Sequence, residues 1–208
     1  MRWVLIAVSA LGLWPQAVQA GCNQEVAAAF ERQRTSAAFR VQMSEPAPAG
    51  EITMTADYLP PDRMLQTVGG PGMPGDQQTM VVGERAFSGS SGAWQELLPQ
   101  FSQSVVASVK SAVGQSQTNL GDFDCLGSVA YEGKDYIGYR TKPSAADAAS
   151  KEVIARTLYI DKATGLPAFN IVAPVSAKEP PIMKAVYSYP SGIVIEAPTN
   201  APVQNTSK

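Results

Sequence analysis

The stretch 152–171, EVIARTLYIDKATGLPAFNI, places the tightest constraint on the fold. Two segments of alternating apolar character flank Asp161-Lys162-Ala163-Thr164-Gly165. A polar turn ending in glycine, which takes positive φ at no steric cost, between two such segments is the signature of a β-hairpin. Successive side chains on a strand point to opposite sides. Val153, Ala155, Thr157 and Tyr159 therefore share one face, and Ile154, Arg156, Leu158 and Ile160 share the other. The second face is the more apolar and is assigned to the concave side of a sheet, with Arg156 as its one polar exception. A lone arginine there either snorkels to the rim or contacts a covering lid.

The same grammar recurs along the chain. Segment 38–43 alternates Phe39, Val41 and Met43 against Arg40 and Gln42, and 51–58 alternates Ile52, Met54 and Ala56 against Thr53, Thr55 and Asp57. Further strands are expected at 63–68, 78–82, 85–88, 125–131, 136–141, 183–189 and 193–196. Turn residues separate them, among them Leu59-Pro60-Pro61-Asp62, Glu132-Gly133-Lys134 and Pro190-Ser191-Gly192. A first helix is expected over 23–34, with Asn23 as N-cap and Val26, Ala27, Phe30 and Arg34 at helical spacing. A second is expected over 98–113, with Pro99 in its first turn, a stripe of Phe101, Val105, Val109 and Ala112, and Gly114 as its stop. Strands that follow one another form a meander, and a long meander must curl to bury one face. The expected fold class is α+β: a strongly curved antiparallel β-sheet, an open half-barrel, with helices covering the concave face.

The ends of the chain carry an address. Met1-Arg2, an apolar run over 3–13, Pro15 and the small residues Val18 and Ala20 read as a secretory signal peptide over 1–20. One domain is then expected over 21–197, followed by a disordered polar tail over 198–208. The two cysteines, Cys22 and Cys125, are an even number in an exported chain and suggest a disulfide. It would close a loop of ~100 residues, worth ~4–5 kcal/mol in the chain-entropy account. Gly21-Cys22 also resembles the end of a lipobox, although Gln19 stands where such boxes favour leucine. An acylated Cys22 cannot pair with Cys125. The expected location is the periplasm, with lipid anchoring through Cys22 as the alternative.

Composition removes several classes of function. The sequence has no histidine, so Ser-His-Asp and Cys-His arrangements are impossible, and zinc and iron sites lose their commonest ligand. The net charge of −2 and the lack of a basic patch argue against a nucleic-acid partner. The Gly/Pro loop 69–75 lacks the Lys-Ser/Thr of a phosphate-binding loop. Asp122 and Asp124 read as a solvated turn. No enzymatic function, metal or cofactor is expected.

Certain phrases resemble a known family. They are Tyr58-Leu59-Pro60-Pro61-Asp62-Arg63-Met64, then Val81-Val82-Gly83-Glu84-Arg85-Ala86-Phe87 followed by Trp94, and later Leu158-Tyr159-Ile160-Asp161-Lys162-Ala163-Thr164-Gly165-Leu166-Pro167. Together with the leading helix, the chain resembles the periplasmic lipoprotein-carrier superfamily, LolA/LolB-like, and its lipoprotein-sorting relatives. The resemblance implies an open barrel with a helical lid and an apolar cavity for acyl chains. It implies an amphipathic or lipid ligand, with a lipoprotein or membrane protein of the envelope as a further partner. The family's lid-holding strand arginine would correspond to Arg40 or Arg63. The cavity lining is expected from the strand methionines Met43, Met54, Met64 and Met80, which adapt to varied ligand shapes. Val105 and Val109 on the second helix, and Ile154, Arg156 and Leu158 on the hairpin, complete it. The competing expectation is an envelope interaction or scaffold protein that uses the loop 69–75 or the sheet edges without lipid transport.

Overall fold

A computed structural model describes residues 17–114, 120–143, 152–176 and 180–204. Helix α1 spans Ala17–Arg34. Six strands follow: β1 (Phe39–Ala47), β2 (Gly50–Leu59), β3 (Arg63–Gly69), β4 (Gln77–Val82), β5 (Arg85–Ser90) and β6 (Ala93–Glu96). After helix α2 (Pro99–Gly114) come β7 (Phe123–Tyr131), β8 (Lys134–Thr141), β9 (Ile154–Asp161), β10 (Pro167–Pro174) and β11 (Met183–Ser188). The first sixteen residues of the expected signal peptide, and residues 205–208 of the expected tail, lie outside the described residues.

The described strands form one eleven-stranded sheet in the order β6-β5-β4-β3-β2-β1-β11-β10-β9-β8-β7. It is two sequential meanders joined where β1 pairs antiparallel with β11, and β6 and β7 are its outermost strands. The register fixes the faces. Phe39 lies opposite Tyr58, Val41 opposite both Ala56 and Tyr187, and Met64 opposite both Tyr58 and Val81. These residues share the face that carries both helices, as do Asn170 and Leu158, which lie opposite one another. The other face is not simply convex. At the β7 edge the sheet curls toward it, so that Tyr131 stacks on Tyr159 of β9 and meets Phe169 of β10 edge-on, while Glu132 pairs with Lys184 of β11.

Each helix builds its own core. Cys22, Val26 and Ala29 of α1 pack on Phe123, Tyr139, Leu158 and Ile160. Val106, Val109 and Val113 of α2 pack on Phe39, Met64, Val81 and Ala86. Both buried stripes differ from those expected. On α1 the buried set includes Ala29 and Gln33 in place of Ala27 and Arg34. On α2 the expected stripe rotates by about one position: Phe101 is 54% exposed, while Ser102 is buried and its Oγ accepts a hydrogen bond from the Ala86 N–H at 3.0 Å. That buried bond orients the helix, and the apolar count alone does not reveal it.

Two further features differ from the sequence reading. Trp94 lies in a strand the sequence reading did not include, β6, directly opposite Gly89. A Cβ at position 89 would lie 2.7 Å from the indole, so the glycine makes room for the ring, and Ser91-Gly92, both at positive φ, make the tight turn. The segment 193–196, assigned to a final strand, does not join the sheet. Strand β11 already pairs on both edges, with β1 and with β10, so no edge remains for it. Instead the C-terminal segment crosses the opposite face. Ile193, Ile195, Ala197 and Ala201 there cover Met80, Phe87, Leu59, Leu65 and Trp94. The tail expected to be disordered from Pro198 is held through Gln204: the Glu96 N–H donates to Pro202 O and the Gln204 N–H to Glu96 O, each at 2.9 Å. It extends the hydrogen bonding of edge strand β6, a common way to cover an exposed strand.

Cys22 and Cys125 are bonded, with Cα atoms 5.5 Å apart across a sequence separation of 103. The bond takes the thiol that acylation would need, so in this structure the disulfide replaces the lipid-anchor alternative.

Candidate functional site

The two helices are fastened to opposite halves of the sheet. Four links tie α1 to the β7–β10 half. The disulfide joins Cys22 to β7. The Asn23 side chain accepts from the Phe123 N–H at 2.8 Å and donates to Asp122 at 3.0 Å. The Tyr139 hydroxyl donates to Glu25 at 2.5 Å, and Arg32 donates to the Gly165 carbonyl at 3.4 Å. Burial, with the Glu25 carboxylate beside it, pushes the Tyr139 phenol well above its ordinary range. Helix α2 sits over β4 and β5, held by its three valines, by Ser102 and by the Lys110–Glu84 ion pair.

Between the helices the sheet is left open over its centre, and a cavity of about 470 Å³ forms there. Its floor takes one or two side chains from each of five strands: Phe39 and Val41 of β1, Tyr58 of β2, Tyr187 of β11, Asn170 of β10 and Arg156 of β9. Its walls are Ala27, Ala28, Phe30, Glu31, Gln33 and Arg34 of α1 and Ala112 of α2, with Leu120 beyond. The three alanines matter because a larger residue at any of them would occupy the space. Phe39 and Tyr58 stack at 4.7 Å between centroids, giving one side a flat aromatic surface.

The other side is polar. The Arg156 guanidinium lies 5.4 Å from the centroid of the Phe123 ring, and its Nε is buried without an acceptor among the described residues. Burial lowers the Arg156 pKa from the usual guanidinium value, partly offset by Tyr187. Asn170 Oδ1 is also buried without a donor among the described residues. Burial raises the Tyr187 phenol, opposed by Asn170 and by the Arg156 charge, and burial raises Tyr58 with Tyr187 beside it. Both tyrosines are therefore neutral near pH 7. The remaining charges in the lining, Glu31 and Arg34, pair with each other.

The residues expected at the site are spread over both faces. Arg156 lines the cavity. Ile154 shares its strand face, half-buried, at the level of Pro174. Leu158 is fully buried beneath α1. Met43 and Met54 lie directly opposite each other on the helix face, half-buried and outside the lining. Met64 and Val109 are core beneath α2, and Val105 packs partly buried against them. Met80 points to the opposite face and is covered by Ile195, because its neighbour Val81 takes the helix side. Arg40 and Arg63 are also on the opposite face, away from both helices, so neither can hold a helical lid. Arg40 chelates Asp57 at 2.5 and 2.8 Å, and Arg63 donates to the Ile195 carbonyl at 2.9 Å. Sequence reasoning did not single out Phe39, Val41, Tyr58, Asn170 or Tyr187, although Phe39 and Val41 carried the signal by sharing a face with Met43.

No protein-family model matches the chain, and no curated protein matches it. Solved structures do. An uncharacterized conserved protein from Thermus thermophilus superposes with a TM-score of 0.50 at 12% identity, over 88% of this chain and 98% of that one. A structure of MucB gives a TM-score of 0.45 at 12% identity over 88% of this chain, which spans 65% of that chain's length. A LolA superfamily protein from Nitrosomonas europaea gives a TM-score of 0.31 at 12% identity, over 80% of this chain and 91% of that one. At such identities the likeness is one of fold alone.

Proposed function

We propose that this chain is an exported carrier or binding protein of the cell envelope. It holds an acyl chain, a lipoprotein's acyl group or another amphipathic ligand between the sheet and the two helices. The observation that carries this reading is the cavity over the sheet centre, floored by Phe39, Val41 and Tyr58 and kept open by Ala27, Ala28 and Ala112. Its size falls in the range of small-molecule sites, and its mixed lining suits a ligand with an apolar body and a polar end. Burial of a chain there would supply ~0.8 kcal/mol per methylene removed from water. Met43, Met54 and Ile52, in line with the floor on the same face, offer further apolar surface to a longer chain. Residues 1–20 have the pattern of a cleaved export signal, and the Cys22–Cys125 bond suits an oxidising compartment such as the periplasm. Purification from the periplasm of expressing cells, followed by organic extraction and mass spectrometry, tests the reading. A co-purifying amphiphile supports it, and protein that neither carries nor takes up one argues against it.

A second reading, an interaction protein that uses the same fold without lipid transport, has one feature in its favour. Val175 and Ile182 near the β10–β11 connection are 44% and 49% exposed, an apolar pair at the rim of the sheet. Crosslinking to a protein partner through this rim, with no lipid uptake, would select it.

A further inference from the structure

We infer that the cavity selects single-chain amphiphiles with a carboxylate head, and that Arg156 is the residue that binds the head. This rests on the proposed ligand-binding function and adds the chemistry of the ligand's polar end. A buried cation is costly unless a counter-charge and hydrogen-bond acceptors accompany it. Arg156 has the Phe123 ring on one side, and its Nε meets no acceptor among the described residues. Its diagonal neighbour on β10 is Asn170, since Asn170 lies opposite Leu158 and Val172 opposite Arg156. Asn170 Oδ1 is likewise buried and lacks a donor among the described residues. The polar side of the cavity thus presents a cationic donor and a neutral acceptor, both unsatisfied and lining the same space.

A carboxylate together with one of its hydration waters satisfies both. Its oxygens accept from the guanidinium, whose planar fork matches them, and a water from its hydration shell donates to Asn170. The charge of the lining favours a monoanion. Glu31 and Arg34 cancel as a pair, which leaves the single positive charge of Arg156. A phosphate monoester, carrying about −1.5 to −2 at neutral pH, would bring surplus charge into the site. The dimensions favour one chain, because about 470 Å³ is at the small end for a ligand site. The tail would run from Arg156 across Tyr187 to Val41 and Phe39.

Calorimetric titration of the intact disulfide-bonded protein with four probes of equal chain length tests this: dodecanoate, dodecan-1-ol, dodecyl phosphate and dodecyltrimethylammonium. Dodecanoate is expected to bind about tenfold to a hundredfold more tightly than dodecan-1-ol, the yield of a charge-assisted hydrogen-bonded pair. The ammonium probe should bind most weakly. Arg156→Met should bring dodecanoate down to the affinity of dodecan-1-ol, while Lys162→Met, on the exposed hairpin turn, leaves all four unchanged. The native protein's ranking alone decides the matter if Arg156→Met does not fold. Equal affinity for dodecanoate and dodecan-1-ol overturns the head-group assignment and leaves the amphiphile-binding reading intact. A preference for dodecyl phosphate overturns the carboxylate choice. No binding of any probe to folded protein overturns both.

Discussion

Removing the Cys22–Cys125 bond, as Cys22→Ala with Cys125→Ala, tests how far the fold depends on the attachment of α1. The bond closes a loop with a sequence separation of 103, which contains β1 to β6 and all of α2. For a loop of that size the chain-entropy account gives an upper figure of about 4.7 kcal/mol. Part of the anchorage survives the substitution: Asn23 still caps Phe123, Glu25 still meets Tyr139, and Val26 and Ala29 still pack on Leu158 and Ile160. Cys22 is itself buried, so its replacement also removes some apolar contact. Residual structure in the unfolded chain lowers the entropic part, and the expected net loss is about 2–4 kcal/mol. With a urea slope of about 2 kcal/mol/M, the midpoint should fall by about 1–2 M. Urea titrations followed by tryptophan fluorescence and far-ultraviolet circular dichroism measure it. A midpoint within about 0.3 M of the native protein at unchanged slope would refute the claim that this bond restrains the unfolded chain.

Four other predictions follow from particular contacts. Ala112→Phe fills the cavity from α2 and should abolish amphiphile binding while changing stability by less than about 1 kcal/mol, since position 112 is exposed on its helix; calorimetry and thermal melting read the two effects separately. The Asp161 carboxyl is held down to about 2 by Lys134 first and then by the Thr164 N–H, so its contribution is present above the ordinary value of 3.8 and is lost as pH falls toward 2. The Lys134 partner is 60% exposed, which limits the benefit over Asp161→Asn to about 1 kcal/mol or less, and melting curves of the two proteins should converge between pH 4 and 2. Gly89→Ala drives a methyl into the Trp94 ring and should cost about 1–3 kcal/mol, with a shift in Trp94 emission as the ring leaves its place. Truncation after Ala197 removes the two backbone bonds to Glu96 and the cover from Ala201, so hydrogen exchange at β6 should accelerate while β10 and β11 stay protected.

Most of the fold was legible because alternation is a local property. Most segments with side chains of period two became strands with boundaries shifted by a residue or two, although β1 runs on to Ala47, four residues past the expected end, and the 152–171 hairpin became β9 and β10 with Asp161 capping its turn through Ala163 and Thr164. The failures were long-range. Whether 193–196 joins the sheet depends on whether β11 has a free edge, and β1, from the far end of the chain, has taken it. Trp94 belongs to a strand because Gly89 gives its ring room, a pairing that neither residue's neighbours announce. The tail reads as polar and structureless until Glu96 offers it a backbone partner.

The site was legible in one residue and hidden in the rest for a related reason. Arg156 stood out as the single polar side chain on an apolar strand face, a local anomaly that survives folding because the cavity gives it space. The methionines were chosen by type, but the type says nothing about which part of a face the helices will cover. That is decided by attachment. The disulfide and the hydrogen bonds that fasten α1 run to the β7–β10 half, and the contacts that fasten α2 run chiefly to β4 and β5. What stays open is the strip between them, and its floor is whatever five strands present there: two tyrosines, an asparagine, an arginine, a phenylalanine and a valine. Met64 lies outside that strip because α2 covers it, and Met80 because the alternation that buries Val81 turns it to the other face. The cavity is therefore a product of where the helices are fastened. A change in either attachment would alter ligand binding even with every lining residue kept.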